Sequence, residues 1–280
     1  MLRIVTDGAA DLPPEWEKEF EIDIIPINIH FGEKTYLQFV EMGFEDFYNM
    51  VGEAKDFPKT SQPTPHQFVE YYKKIAEPGD TILSMHVTSK LSGTYASAVA
   101  AAEEVKDTYN VVTVDSEGGS MGLGYMCRTA RQMEREGKSV EEIVEHIEAI
   151  REKVLIILTL DTLEYARRSG RVGTLSAALA SVLNIKPIAL LKDGVIDMVD
   201  KVRTRRVALE KVLQMGEEAY GDQPVHVAVL HARDAKSGQS LLDEASKRFN
   251  VKDSVLTDLS ISLAIQFGPG TVGLVLYPAE

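Results

Sequence analysis

Thr81-Ile82-Leu83-Ser84-Met85-His86-Val87 runs straight into Thr88-Ser89-Lys90-Leu91-Ser92-Gly93-Thr94-Tyr95, and a helical pattern follows through Lys106. The first seven residues are mostly apolar and sit between polar flanks, which predicts a strand buried on both faces. The next stretch is rich in hydroxyls and carries a glycine, which predicts a turn into a helix over Thr94–Lys106. The same strand-then-helix layout repeats outward from here. Leu2–Thr6, Asn110–Val114 and Val154–Leu160 read as strands; Pro65–Ala76, Met121–Glu136 and Ser139–Lys153 read as helices. Thr64-Pro65-His66-Gln67 and Ser139-Val140-Glu141-Glu142 are capping boxes that fix two of the helix starts. Alternation of this kind predicts an α/β fold, a parallel sheet with flanking helices.

Beyond about Lys153 the pattern becomes mixed. Strands are expected at Pro187–Leu191, Val195–Val199, Val225–His231 and Thr271–Tyr277, with Asp193-Gly194 as a hairpin turn between the first two. An antiparallel element implies a second domain of α+β type. The chain therefore reads as two domains, residues 1–155 and 156–280.

The chain has 280 residues and a formal charge of −13, from 30 Lys+Arg against 43 Asp+Glu. That balance argues against general nucleic-acid binding, which needs a basic face. One cysteine, Cys127, allows neither an internal disulfide nor a thiolate zinc site. Asp7 interrupts the first apolar run, and Val154–Leu160 is too short to span a bilayer. A cytoplasmic protein is expected.

Neither nucleotide-binding nor metal-binding motifs keep their required spacing in this sequence. Gly137-Lys138-Ser139 lacks the earlier glycine of a phosphate-binding loop, because Gln132 stands there. The stretch Gly118–Gly124 misses the dinucleotide spacing, since Cys127 takes the third glycine position, and it reads as a tight strand-to-helix turn. His226 and His231 are an odd number of residues apart on one expected strand and face opposite ways, so no metal site is expected. Two basic runs, Arg167–Arg171 and Lys201–Arg206, are explained first as solvated faces with local ion pairs.

Two hydroxyl-rich loops remain, Lys59-Thr60-Ser61-Gln62-Pro63-Thr64-Pro65 and Thr88–Tyr95. Both precede helices at the end of an open sheet where ligands bind. Helix starts offer N–H groups and partial positive charge, and Ser and Thr add neutral donors. Capping alone would explain either loop; the pair points to a carboxylate or phosphate site.

At these residues the sequence resembles the DegV family of bacterial fatty-acid-binding proteins. The likeness runs in order through Thr6-Asp7 with Asp11-Leu12-Pro13, Lys59–Pro63, Ser89–Tyr95, Asp115-Ser116, Ser169-Gly170-Arg171-Val172, Asn184-Ile185-Lys186-Pro187, Lys201–Thr204 and Gly268-Pro269-Gly270. The resemblance implies a two-domain DegV-like fold holding one long-chain fatty acid between its domains, with no catalytic residue and no cofactor of its own. It places the carboxylate at Thr60 and Ser92, with Ser61, Gly93, Arg203 and Gln266 as further candidates. A separate fatty-acid kinase is the implied partner. It would phosphorylate the presented carboxylate for phospholipid synthesis, and transient membrane contact belongs to the same picture. Burial of the tail supplies about 0.8 kcal/mol per methylene, and Ile156, Ile157, Leu158, Ile188, Leu190, Ile261, Leu263 and Ile265 are candidate tail neighbours. Two departures stand out: Gly8 replaces the family's usual serine, and Gln266 replaces a frequent histidine, which removes a titratable cation. The competing reading is a hydrolase or phosphotransferase using Asp7, Asp115 and Ser92.

Overall fold

The computed structural model describes residues 1–53, 57–171 and 185–279. The chain forms two compact units, Met1–Ala149 and Ile150–Glu280.

The first unit runs β1 (Leu2–Asp7), α1 (Pro14–Glu19), β2 (Ile22–Ile25), β3 (Asn28–Phe31), β4 (Lys34–Leu37), α2 (Phe44–Glu53), β5 (Lys59–Ser61), α3 (Pro65–Ile75), β6 (Thr81–His86), α4 (Thr94–Val105), β7 (Asn110–Asp115), α5 (Ser120–Arg135) and α6 (Val140–Arg151). Its main sheet has the order β2-β1-β6-β7 and is parallel throughout. Leu2 pairs with Thr81, and Thr81 with Asn110, so the carboxyl ends of β1, β6 and β7 share one sheet edge. Phe68, Val69 and Tyr72 of α3 and Ala98 and Ala101 of α4 pack with Val5, Ile25 and Ile82. The small side chains on α4 bring that helix close to the sheet. As expected, Thr64 and Gln67 form a reciprocal capping box at the start of α3.

A second, antiparallel sheet of three short strands, β4-β3-β5, stands apart from the first. It corrects one expectation. Lys59-Thr60-Ser61, read from sequence as loop, is a strand whose Thr60 pairs with Ile29. Three residues without apolar alternation carry no strand signal, and the backbone ladder to β3 makes the strand.

The second unit comprises β8 (Leu155–Thr159), α7 (Glu164–Ser169), β9 (Lys186–Lys192), β10 (Val195–Val202), α8 (Arg205–Tyr220), β11 (Pro224–His231), α9 (Ala235–Arg248), β12 (Asn250–Asp258), α10 (Ile261–Phe267) and β13 (Val272–Pro278). Its sheet has the order β10-β9-β8-β13-β11-β12, antiparallel except between β11 and β12. Here β8 departs from the expectation: it sits between two antiparallel neighbours, outside any parallel sheet. A strand covered on both faces reads as one apolar run whichever way its neighbours point. The Asp193-Gly194 turn forms as expected, with φ of 50° and 75°, the positive pair that a two-residue hairpin of this hand requires.

The core of this unit lies on one sheet face, where Ile157, Ile188, Val227 and Leu274 meet Val212 and Leu213 of α8 and Leu241 of α9. Of the candidate tail neighbours, Ile157 and Ile188 belong to this core and Leu190 packs against it. Ile156 and Leu158 alternate onto the opposite face and are also buried.

Candidate functional site

The site is built where β1, β6 and β7 end. Fully buried Asp7, the last residue of β1, accepts hydrogen bonds from the backbone N–H of Ala9 at 2.9 Å and of Val87 at 3.0 Å. Its Oδ2 also lies 3.0 Å from His86 Nδ1. From there the contacts continue, His86 Nε2 to Ser84 Oγ at 2.6 Å and Ser84 Oγ to the Tyr72 hydroxyl at 2.8 Å. Every member is sealed in the interior, and burial raises the Tyr72 phenol above its usual range. Acid, imidazole and hydroxyl thus form a chain that ties β1 to β6 and α3.

Asp115, the last residue of β7, plays a parallel part. Its carboxylate accepts from Ser89 N–H at 3.2 Å and from Glu117 N–H at 3.0 Å, so it holds the hydroxyl loop to the next strand. Both acids of the hydrolase reading therefore hold backbone in place.

Within the loop after β6, Leu91 and Ser92 N–H both donate to the Thr88 carbonyl. Ser92 Oγ accepts from Thr94 N–H at 3.2 Å and lies 2.8 Å from Thr94 Oγ1. Ser92 precedes the N-cap, Gly93, and its hydroxyl takes up the first N–H of α4, where the helix end offers N–H groups that lack intrahelical acceptors. Ser92 therefore bonds the helix start and also occupies a place suited to an anion.

The other loop reaches the same place. Thr60 is half-buried on β5. Ser61 Oγ lies 2.8 Å from His30 Nε2, whose Nδ1 meets Thr35 Oγ1 at 2.9 Å. Asn28 Nδ2 donates to the Gln62 carbonyl at 3.1 Å, and Gln67 Nε2 donates to Asn28 Oδ1 at 3.1 Å. Gln62 itself lies over Gly93, so a Cβ at position 93 would stand 2.6 Å from Gln62 Nε2. The two hydroxyl-bearing segments are thereby packed against each other within the first unit. Sequence reasoning named Thr60, Ser61, Ser92 and Gly93 but missed Gln62, although it lies inside the quoted motif. His30 and Asn28 carry no sequence signal, because strand β3 brings them in.

Gly8 has a structural explanation. Gln38, fully buried, donates from Nε2 to the Gly8 carbonyl at 2.7 Å, and a Cβ at position 8 would meet that same nitrogen at 2.3 Å. The glutamine amide fills the space that a serine side chain would need. Nearby, Ser120 Oγ donates to Asp11 Oδ2 at 2.5 Å and Ser120 N–H to the Ala9 carbonyl at 2.7 Å, which joins the Asp11-Leu12-Pro13 segment to the start of α5. Of the glycine-rich stretch, Gly118 and Gly119 make the strand-to-helix turn expected of it, whereas Gly122 and Gly124 lie inside α5.

Gln266 and Arg203 belong to the second unit. Gln266 is buried on α10. Arg203 is exposed between β10 and Thr204, the N-cap of α8. The Gly268-Pro269-Gly270 loop after α10 depends on its glycines: both have positive φ, Gly268 lies against the Tyr165 ring, and Gly270 lies against Asp161. Arg205 donates to the Gly270 carbonyl and to Asp161 at 3.3 Å, and Lys186 pairs with Asp161 as well. Arg168 pairs with Glu164 at 2.7 Å. Local ion pairing thus accounts for Arg168 and Arg205 in the two basic runs. Val172 and Asn184 of the quoted motifs lie outside the described residues.

Among the described residues no group of His, Cys, Asp and Glu is arranged to hold a metal ion, and no helix is long and apolar enough to cross a membrane. His226 and His231 each face a carboxylate on β12, Asp253 at 2.9 Å and Asp258 at 3.3 Å. Burial pushes the Cys127 thiol up to about 12.

The fold is a two-unit α/β chain with paired hydroxyl segments at a helix start, and known proteins share it. The family described as "Uncharacterised protein, DegV family" matches residues 1–279. The chain belongs to the DegV family. A DegV domain-containing protein of Halalkalibacterium halodurans is 31% identical over 278 residues, which is 99% of this chain and 98% of that one. Among solved structures, a DegV family protein from Thermus thermophilus described for its fatty-acid binding superposes with a TM-score of 0.90. It is 30% identical and 99% of each chain is covered. A stearic-acid-binding protein from Eubacterium ventriosum gives a TM-score of 0.90 at 26% identity, covering 99% of this chain and 98% of that one.

Proposed function

We propose that this protein binds one long-chain fatty acid and holds its carboxylate at Thr60 and Ser92, with Ser61 and Gly93 shaping the site. The observation that supports this most is the packing of Gln62 on Gly93, which brings the two hydroxyl-bearing segments together at the start of α4. The fatty-acid binding of its structural relatives points the same way. Neutral hydroxyls and N–H groups orient a carboxylate without demanding a buried cation, and tail burial at about 0.8 kcal/mol per methylene provides the affinity. In the cell the bound acid is presented to a separate kinase. The kinase transfers the terminal phosphoryl group of ATP to a carboxylate oxygen, giving acyl phosphate and ADP. The chain acts in the cytoplasm as a carrier for phospholipid synthesis.

Native mass spectrometry of protein purified from cells tests the binding step. A bound mass matching a long-chain fatty acid is expected, and a ligand-free chain that also ignores added oleate would overturn the proposal. Thr60→Ala with Ser92→Ala should reduce acyl-phosphate formation by an added fatty-acid kinase. Unchanged turnover would remove those residues from the site. Arg203→Ala and Gln266→Ala, measured alongside, report what the second unit contributes.

A further inference from the structure

Strand β7 ends the main sheet of the first unit: it pairs with β6 on one side and with no other strand among the described residues. Most of its residues are half-exposed, whereas β6 is almost wholly buried. An unpaired strand edge offers alternating N–H and C=O groups to another chain. Here the edge also has a groove on each face, mixed polar and apolar on the α4 side and mostly apolar on the α6 side. On the α4 side a groove of about 490 Å³ is floored by Val99, Ala102 and Val111. On the α6 side one of about 300 Å³ is floored by Val112, Val140 and Val144. Successive side chains of an added strand point to opposite faces, so a strand laid along β7 would drop alternate residues into the two grooves.

Charge selects the occupant. Glu141, Glu145 and Glu148 rim the α6 groove with no basic residue in its lining. Glu103, Asp107 and Lys106 rim the other, and Lys106 is already paired with Glu103. Two copies of this edge would bring like charges face to face, which strand pairing disfavours. We infer that β7 is a docking edge for an extended segment of a partner protein in which apolar and basic residues alternate. Backbone pairing with β7 supplies the ladder, the valines take the apolar side chains, and the α6 carboxylates hold the basic ones.

The test uses the full chain and a short fluorescent peptide of alternating lysine and valine. Its control is the same peptide with alternate backbone amides N-methylated, which keeps every charge and side chain but removes the ladder. The parent peptide is expected to bind, with the methylated one about tenfold weaker. Glu145→Lys with Glu148→Lys should also weaken the parent peptide about tenfold, at an unchanged melting temperature. Equal binding of both peptides, or none, would overturn the inference. So would sedimentation showing a dimer that Val112→Lys disperses, because the edge would then belong to a second copy.

Discussion

Gln62 lies so close over Gly93 that no side chain fits between them: a methyl group on residue 93 would stand 2.6 Å from the Gln62 amide nitrogen and 2.9 Å from its Cδ. The backbone at Gly93, with φ of −79°, would accept alanine, so the constraint comes from Gln62 alone. Gly93→Ala should therefore push Gln62 aside and part the two hydroxyl-bearing segments while leaving the fold intact. Oleate binding followed by isothermal calorimetry is expected to fall about tenfold, with a melting temperature near that of the parent. Adding Gln62→Ala makes room for the methyl group, and part of the affinity should return. Equal affinity of Gly93→Ala and the parent would mean that this contact does not organise the site.

At Gly8 the same kind of contact acts on stability. Gln38 is fully buried and bonded to the Gly8 carbonyl. Gly8→Ser drives its hydroxymethyl group into that amide and strands a buried donor, at a cost of about 2 kcal/mol. Urea unfolding should show the loss, and Gly8→Ser with Gln38→Ala should recover part of it. Additive losses in the double variant would show that the two residues do not share the space.

The Asp7–His86–Ser84–Tyr72 chain has the composition of a hydrolytic triad with a phenol added, yet all four side chains are buried. Its expected role is cohesion. Asp7→Asn turns one acceptor oxygen into a donor beside N–H groups, and should cost about 3 kcal/mol of unfolding free energy. The parent protein should hydrolyse p-nitrophenyl acetate no faster than buffer does. Turnover that Ser84→Ala abolishes would reverse this assignment.

Glu210 of α8 takes two hydrogen bonds from Arg248 of α9, at 2.9 and 2.8 Å, and that guanidinium holds its carboxyl below the usual value of 4.5. A carboxyl whose folded pKa is lowered stabilises the fold above its unfolded pKa and loses that contribution as pH falls through the folded one. Glu210→Gln should therefore melt lower than the parent at pH 7, by a small margin for so exposed a pair. The two melting curves should converge as pH falls through that lowered value. A gap that persists at low pH would trace to packing and not to charge.

Much of the first unit was legible because its central strands are apolar runs and its helices carry their own caps. Thr64 and Gln67 announce α3 wherever they stand in a fold. What stayed hidden depends on distant partners. β5 exists because Thr60 finds Ile29, and β8 lies between antiparallel neighbours because β9 and β13 arrive there. The site divides in the same way. The two loops could be named from hydroxyls placed before helices, and the family resemblance singled out Thr60 and Ser92 within them, whereas Gln38, His30 and Asn28 matter only through partners that the fold brings alongside.

The Asp193-Gly194 turn sets a difference in timing between the units. It joins β9 to β10 through neighbouring residues, so that pairing closes over a very short loop, and hairpins of this kind form in about 1–10 μs. Each strand pair in the parallel sheet must instead wait for a crossover, the longest running from β2 through three further strands and two helices before β6 returns to β1. Non-local pairing slows folding. Pulse-labelled hydrogen exchange should find amides of β9 and β10 protected before those of β1 and β6, and the reverse order would show that the turn does not lead. The proposed carboxylate site would then be among the last parts of the chain to form, since its two segments lie on either side of β6.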